Sequence, residues 1–205
     1  MPIKLIIFDL DGTLVSCKRL HRETLNMALS HKGFRIEEEE LPLYEALTTR
    51  QKLDKLTNEK GLQREDHDII WDIKQRLTLR YINDYVERLP HIIDMLDSLS
   101  DYKLAICTNS IRKTTEEILR ASDILEYFPY IITNQDVANP KPNSQPYFRT
   151  MGLAGENPIN TLIFEDSQVG LTAAYRSRAF VCPVTDPFMI GKDYVHTVLG
   201  AINEI

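Results

Sequence analysis

Residues 3–14 of the chain read IKLIIFDLDGTL, an apolar run that leads directly into two aspartates. The apolar run predicts a buried strand, with Asp9 and Asp11 at its carboxyl end. In an open parallel sheet, residues that leave the strands at that end project into the crevice where ligands bind. Two carboxylates this close repel each other unless a cation lies between them or they share a proton, so the pair suggests a bound cation such as Mg²⁺. In isolation, the same string is also compatible with a solvated turn.

Length and composition limit the class of protein. A chain of 205 residues, 43% of them hydrophobic, can form one domain with a sizeable insertion or two small domains. The formal net charge of −6 argues against a protein that binds nucleic acid through its whole surface and leaves a local basic patch open. The cysteines Cys17, Cys107 and Cys182 form no CxxC pair, which indicates neither a disulfide framework nor a zinc site. The first apolar run is too short for a signal peptide or a membrane span, so we expect no membrane binding. Without a disulfide pattern, the chain fits a reducing cytoplasm best, and we expect a monomer that binds no nucleic acid.

The second half of the chain alternates between strand-like and helix-like segments. Helices are predicted near 90–100, 112–121, 144–151, 168–176 and 194–203. The strands predicted between them are Lys103–Cys107, Tyr130–Thr133, Thr161–Glu165 and Ala179–Pro183. Together with the first strand, this alternation predicts an α/β fold with a doubly wound, Rossmann-like parallel sheet.

The stretch between the first and second strands contains only helical patterns. After a first helix that ends near Gly33, helices are predicted at 42–47, 50–60 and 64–87, with the acidic run 37–40 as a solvated helix start. We therefore expect an α/β core domain formed by residues 1–15 and 89–205, with an all-α cap domain, 16–88, inserted into it. An insertion at this point can act as a lid that excludes water.

Three further polar groups follow strands or turns. Residues 108–110, Thr-Asn-Ser, fit either an anion cradle at a helix N-terminus or an ordinary helix cap. Lys141 lies between two prolines, which fits either a rigidly aimed ammonium or a surface turn. Glu165 and Asp166 leave another apolar strand and can complete an oxygen site for a cation with Asp9, with a cap of the next helix as the alternative role of Asp166.

These four motifs, in this order, resemble the haloacid dehalogenase superfamily, and specifically its members with a helical cap inserted after the first strand. The resemblance covers the whole chain: residues 9–13 match the first signature, Thr108 the second, Lys141 the third and 165–166 the fourth. The segment 164–170, FEDSQVG, is especially similar to the β-phosphoglucomutase and phosphoglycolate phosphatase branch.

The resemblance implies a catalytic role for three residues. Asp9 would be the nucleophile that attacks phosphorus and forms an aspartyl-phosphate. Asp11 would be the general acid and base, protonating the leaving oxygen and then deprotonating the water that cleaves the intermediate. Lys141 would offset the negative charge of both the phosphate and Asp9.

Binding roles are implied as well. Thr108 and Asn109 would bind phosphoryl oxygens. The ligands of Mg²⁺ would be Asp9, the backbone carbonyl of Asp11, Asp166 and Glu165.

Within the predicted cap, two residues resemble substrate-contacting positions of the family. His21 is similar to a hinge or gating residue at the cap entrance, with a plain helix-surface histidine as the alternative. Arg50 resembles a position that reaches the distal group of the substrate, with a surface arginine as the alternative. In the core, Arg178 departs from the glycine that many relatives carry near the end of the helix after the fourth motif.

The function predicted from these residues is a Mg²⁺-dependent phosphatase acting on a small phosphomonoester, either a sugar phosphate or a nucleotide. A halide leaving group needs no proton, so the acid at Asp11 disfavours dehalogenation. One alternative is a phosphomutase of the β-phosphoglucomutase type, which would use the same core residues. A protein that binds phosphate or regulates without turnover is an alternative from another class, and the presence of both Asp9 and Asp11 argues against it.

Overall fold

The structure is a computed structural model that describes residues 2–44 and 47–204. The chain divides into two compact units, one formed by Met1–Ser16 with Glu87–Ile205 and the other by Cys17–Val86. The strands are β1 Leu5–Phe8, β2 Lys103–Cys107, β3 Tyr130–Ile132, β4 Thr161–Glu165 and β5 Phe180–Pro183. The α-helices are α1 Lys18–Ser30, α2 Thr49–Lys60, α3 His67–Tyr85, α4 Pro90–Asp97, α5 Arg112–Ala121, α6 Gln145–Ala154, α7 Gln168–Arg176 and α8 Lys192–Asn203.

The first unit is built on a parallel sheet with the strand order β3-β2-β1-β4-β5. Strand β1 lies at its centre, where Phe8 is paired with Ile106 of β2 and with Phe164 of β4. A strand buried on both faces needs apolar side chains at every position, and all four residues of β1 are apolar and buried. The predicted α/β fold with a parallel sheet is therefore confirmed.

Two helices cover one face of this sheet. Residues of α6 and α7 form a continuous apolar cluster with Leu5 and Ile7 of β1 and with residues of β2 and β4. The alternate residues of β1 point the other way, and there the ring of Phe8 stacks on Phe164 at 5.2 Å and meets Phe128 edge-on at 6.2 Å. Packing on both faces holds the strand ends in fixed positions.

The described residues of the Cys17–Val86 unit form helices joined by turns and loops, with no strand among them. Helices α1, α2 and α3 share an apolar core that includes Leu25, Leu53 and Ile70. A hydrogen bond of 3.0 Å between the hydroxyls of Thr24 and Thr78 links α1 to α3 within that core. Across both units, none of the helices in the described ranges is long and apolar enough to cross a membrane.

Two predicted helices differ from those observed. The prediction of a helix at 42–47 is wrong where the structure can be compared, because a 3-10 helix runs from Glu38 to Leu43; residues 45–46 lie outside the described part. Glu40 accepts a hydrogen bond from the backbone N–H of Glu37 at 2.8 Å, so the helix starts there, and Pro42 has no N–H with which to continue it as an α-helix. The helix predicted at 64–87 is split into a 3-10 turn, Arg64–Asp66, and α3.

Arg178 occupies a left-handed backbone position just after α7. Its φ is +62°, and its N–H donates a hydrogen bond to the carbonyl of Tyr175 at 3.2 Å. Glycine is favoured at this kind of helix end because it lacks the Cβ that makes the conformation costly. The turn therefore keeps a geometry suited to glycine despite the arginine.

Candidate active site

The adjacent strands β1, β2 and β4 bring together three of the four motifs. Asp9 follows β1 directly, and its backbone N–H donates to the carbonyl of Phe164 at 2.9 Å. Thr108 follows β2, and Asp166 follows β4. Because β1 lies between β2 and β4, these residues lie at the same edge of the sheet.

The third motif reaches the same edge through the ammonium of Lys141. Its Nζ donates to Asp9 Oδ1 at 2.7 Å, to Glu165 Oε2 at 2.7 Å and to the carbonyl of Cys107 at 2.6 Å. The residue is only 3% exposed. Burial by itself lowers the pKa of Lys141, but the negative charges of Asp9 and Glu165 outweigh that effect and hold the pKa well above its usual value. The ammonium is therefore a fixed positive charge between two carboxylates.

The carboxyl group of Asp9 is buried close to two other acidic side chains. Burial, together with the negative charges of Glu165 and Asp166, holds its pKa well above the usual value, although Lys141 acts in the opposite direction. The ammonium of Lys141 pairs with two of these three acids, Asp9 and Glu165, so a bound cation would offset the remaining negative charge.

The pKa of Glu165 is shifted in the opposite direction from that of its neighbour Asp9. Burial alone raises its pKa, but the charge and hydrogen bond of Lys141 lower it below the usual value. Oε2 accepts from Lys141 and from the hydroxyl of Tyr147, both at 2.7 Å. Oε1 accepts from the backbone N–H of Ser167 at 3.1 Å and from its hydroxyl at 2.9 Å. Both oxygens of this fully buried carboxylate are therefore held by protein donors.

A divalent cation fits the acidic group at this edge. Asp9, Glu165 and Asp166 each offer an oxygen, and these oxygens all lie within 4.8 Å of one another. Gly12 gives the Asp166 carboxylate room, since a Cβ on Gly12 would lie 2.1 Å from Asp166 Oδ2. Carboxylate oxygens are the donors that Mg²⁺ and Ca²⁺ prefer, and the oxygens of Glu165 are already occupied by hydrogen bonds. Asp9 and Asp166 are therefore the side chains best suited to hold the ion.

The side chains of Thr108 and Asn109 have different hydrogen-bond partners. Thr108 is buried, and its hydroxyl accepts a hydrogen bond from the backbone N–H of Ser110 at 3.1 Å. The amide side chain of Asn109 pairs with the backbone of Lys141, donating to its carbonyl and accepting from its N–H, each at 3.1 Å. The side chain of Asn109 therefore fastens the lysine loop to the end of β2.

The Asp11 turn is compact. The N–H of Gly12 donates to the carbonyl of Val15 at 2.7 Å, and the N–H of Leu14 donates to the carbonyl of Leu10 at 3.0 Å. Asp11 is half-buried within this turn and lies outside the group formed by Asp9 and the two acids after β4.

The two predicted cap residues lie in the Cys17–Val86 unit. His21 is half-buried, and its Nδ1 is 3.4 Å from Nζ of Lys74. Burial, followed by the positive charges of Lys74 and Lys52, holds the pKa of His21 well below its usual value. Arg50 is exposed, forms an ion pair with Asp68 and places its guanidinium 5.2 Å from the ring centroid of Trp71.

Sequence reasoning missed Tyr147. It lies on α6, six residues after Lys141, and its fully buried hydroxyl bonds to Glu165. The available signal was its spacing with Met151 and Ala154, which places all three on the face of α6 that packs against the sheet. That spacing predicts a buried ring but gives no information about the partner of its hydroxyl.

The sequence profile of the haloacid dehalogenase-like hydrolase family matches residues 6–184. The chain therefore belongs to this family of hydrolases, as its motifs predicted. The expectation of a phosphatase-type enzyme of this family is also confirmed.

Individual relatives cover most of the chain. Protein CbbY of Rhodobacter capsulatus is 27% identical over 206 residues, which is 95% of this chain and 90% of that protein. The phosphoglycolate phosphatase of Salmonella paratyphi A is 30% identical over 203 residues, covering 88% of this chain and 79% of that protein. The crystal structure of β-phosphoglucomutase from Clostridium difficile superposes with a TM-score of 0.84 at 17% identity, covering 99% of this chain and all of the other, which supports the shared fold.

Proposed function

We propose that the chain is a Mg²⁺-dependent phosphatase that hydrolyses a small phosphomonoester, a sugar phosphate or a nucleotide, through an aspartyl-phosphate on Asp9. The observation that carries the proposal is the buried ammonium of Lys141, bonded to Asp9 and Glu165 at the carboxyl end of the sheet. A carboxylate nucleophile and a phosphoryl group repel each other, so their reaction needs a fixed positive charge beside the attacking group.

The reaction would proceed in two steps. A carboxylate oxygen of Asp9 attacks phosphorus, the bond from phosphorus to the leaving oxygen breaks, and Asp11 donates a proton to that oxygen. Asp11 then takes a proton from a water molecule, whose oxygen attacks phosphorus and breaks the bond to Asp9. Inorganic phosphate leaves, and both aspartates return to their starting states.

The phosphoryl oxygens would be bound by groups at the end of β2. The hydroxyl of Thr108 accepts from Ser110, so its own proton is available for a phosphoryl oxygen. For Asn109 we propose a positioning role through its side chain, because both of its amide atoms bond to the backbone of Lys141. Its backbone N–H can still contribute to the anion cradle.

The metal would be held by the side chains of Asp9 and Asp166 with the backbone carbonyl of Asp11. When bound, Mg²⁺ offsets negative charge on the phosphoryl oxygens and aligns them for attack. For Glu165 we propose the role of an anchor for Lys141, which its four hydrogen bonds support.

We further propose that the Cys17–Val86 unit acts as the cap that excludes water and selects the substrate. The ion pair of Arg50 with Asp68 and its contact with Trp71 favour a surface role for that arginine. His21 is the stronger candidate for a structural or gating role in the cap, since its ring lies beside the buried ammonium side chain of Lys74.

Phosphate release from a panel of substrates tests the proposal. The panel contains hexose phosphates, nucleotides and an aryl phosphate. Phosphoglycolate, pyrophosphate and xylulose 1,5-bisphosphate are added because related proteins include a phosphoglycolate phosphatase, a pyrophosphatase and a CbbY in complex with the bisphosphate. We expect release that requires Mg²⁺, stops with a chelator and is abolished in Asp9→Asn. Asp101→Asn, an exposed aspartate in the same unit, is the matched control and should keep wild-type activity.

Two results would contradict the proposal. Release that persists in Asp9→Asn would exclude Asp9 as the nucleophile. Absence of release from every ester, with transfer between positions of a bisphosphate-primed sugar, would replace hydrolysis by a phosphomutase reaction.

A further inference from the structure

Tyr147 is a buried tyrosine whose hydroxyl is directed at the centre of the candidate site. Its side chain is fully buried in the cluster that packs α6 and α7 against the sheet. The hydroxyl donates to Glu165 Oε2 at 2.7 Å, and the ring centroid lies 5.0 Å from Nζ of Lys141. Tyr147 therefore contacts both members of the Lys141–Glu165 ion pair, by a hydrogen bond to one and by its ring face to the other.

Packing alone does not account for this residue. A phenylalanine would fill the same space between Met151 and the sheet, and it would bury no hydroxyl. Burying a hydroxyl is unfavourable unless it forms a hydrogen bond, and a bond to a charged acceptor is one of the stronger kinds. The hydroxyl thus has a specific partner, the oxygen to which Lys141 is also bonded.

The shared oxygen connects Tyr147 to Asp9. Lys141 bonds to Glu165 Oε2 and Asp9 Oδ1 with equal distances of 2.7 Å. If the hydroxyl is removed, Oε2 loses one of its two donors, and the carboxylate can rotate about its remaining bonds to Ser167 and Lys141. A small rotation would draw the ammonium away from Asp9, because the three groups are joined in one chain of hydrogen bonds.

We propose that Tyr147 is a positioning residue, which holds Glu165 Oε2 and the Lys141 ammonium so that the positive charge stays against Asp9 during phosphoryl transfer. This role rests on the proposed phosphatase activity. Negative charge shifts among the phosphoryl, attacking and leaving oxygens as the reaction proceeds, so an ammonium held in one place stabilises the transition state more than the bound substrate. Loss of the hydroxyl should therefore affect turnover more than substrate binding.

Tyr147→Phe tests the role, because it removes one oxygen and keeps the ring. The matched control is Tyr44→Phe in the helical unit, where another buried tyrosine, 2% exposed, bonds to a glutamate, Glu59, at 3.2 Å. With an aryl phosphate and saturating Mg²⁺, we expect kcat of Tyr147→Phe to fall about tenfold, as for the loss of one hydrogen bond to a charged group, with KM changed by less than about twofold. Tyr44→Phe should keep the wild-type kcat.

A second measurement does not depend on turnover. Orthovanadate adopts the five-coordinate geometry of phosphoryl transfer, whereas inorganic phosphate resembles the ground state. Titration calorimetry on wild type and Tyr147→Phe should show vanadate binding weakened about tenfold and phosphate binding weakened by less than about threefold. Melting temperatures of both variants, recorded in parallel, show that the protein being measured is folded.

The outcomes separate this inference from the proposed function. A kcat for Tyr147→Phe within about twofold of wild type, or an equal loss in Tyr44→Phe, would overturn the positioning role. Equal weakening of vanadate and phosphate binding would assign the hydroxyl to general stability and would also overturn it. If the wild type releases no phosphate from any ester, the proposed function fails, and the ratio of vanadate to phosphate affinity still decides the role of Tyr147. Wild-type protein that binds neither anion would refute both.

Discussion

Gly170 is the position at which a single methyl group should disturb the candidate site most directly. It lies in the first turn of α7, and a Cβ built on it would stand 2.0 Å from the carboxyl carbon of Glu165 and 2.1 and 2.3 Å from the two oxygens. Ordinary van der Waals contact of a Cβ starts near 3.4 Å. Gly170→Ala therefore requires the carboxylate to move by more than about 1 Å.

The energetic result of that movement is the sum of two opposing effects. Alanine is the better helix former and by itself would stabilise α7 by up to about 1 kcal/mol. The displaced carboxylate of Glu165, however, would lose bonding with Lys141 or Tyr147, and a hydrogen bond to a charged group is worth about 1.5–3 kcal/mol. Since the carboxylate is fully buried, water cannot replace the lost donor. We expect a net loss of about 2 kcal/mol in the free energy of unfolding.

Urea denaturation and steady-state turnover measure the two consequences. The matched control is Gly200→Ala in α8, another glycine inside a helix, around which a Cβ would meet nothing within 4 Å. Gly200→Ala should stabilise the protein by about 1 kcal/mol and keep wild-type turnover. Gly170→Ala should destabilise it and lose at least about tenfold in kcat, because the carboxylate that holds Lys141 has moved.

The opposite outcome would show that Glu165 is not held in place. If Gly170→Ala is as stable as Gly200→Ala and keeps its turnover, the carboxylate of Glu165 can move without cost. Glu165 would then not be held by its hydrogen bonds, and its role as the anchor of Lys141 would be withdrawn.

Two further predictions concern stability. The pKa of His21 in the folded state lies well below its usual value of about 6.5 because of burial and the charges of Lys74 and Lys52, so below pH 6.5 the unfolded state binds the proton more readily. As the pH is lowered below 6.5, the free energy of unfolding should therefore decrease in wild type by up to about 1.4 kcal/mol per pH unit more than in His21→Gln. Urea denaturation at several pH values measures this, and identical slopes for the two proteins would exclude His21 as the cause. Arg178→Gly should raise the free energy of unfolding by about 0.5–1 kcal/mol, since φ is +62° there, while Arg178→Ala should not, and differential denaturation of the two variants checks it.

The sheet was predictable because local patterns determine it. All four residues of β1 are apolar, which is typical of a strand covered on both faces, and strands alternating with helices leave few options besides a parallel sheet. The helix predicted at 42–47 shows the limit of such patterns. Its apolar spacing was suitable, but the hydrogen bond between Glu37 and Glu40 and the missing N–H of Pro42 decided the local structure.

The residues of the candidate site could be selected from the sequence, and their partners could not. Asp9 and Asp166 stand out because an acid directly after an apolar strand has an expected place at the sheet edge. For Asn109, the residue type suggested an anion contact, whereas its amide bonds to the backbone of Lys141, 32 residues away. Partners that lie this far apart in the sequence depend on how loops from different strands meet. The local spacing of residue types gives no information about that.

The residue pattern was enough to predict the succession of strands and helices along the chain, the acids and the lysine that follow them, and the family to which the chain belongs. Tertiary structure alone decided that Lys141 meets Asp9 across 132 residues, and that Tyr147 shares an oxygen of Glu165 with that lysine. These contacts form because the order of the strands in the sheet brings loops that are distant in sequence to one edge. Burial there leaves each polar atom dependent on the few donors and acceptors that packing places within reach.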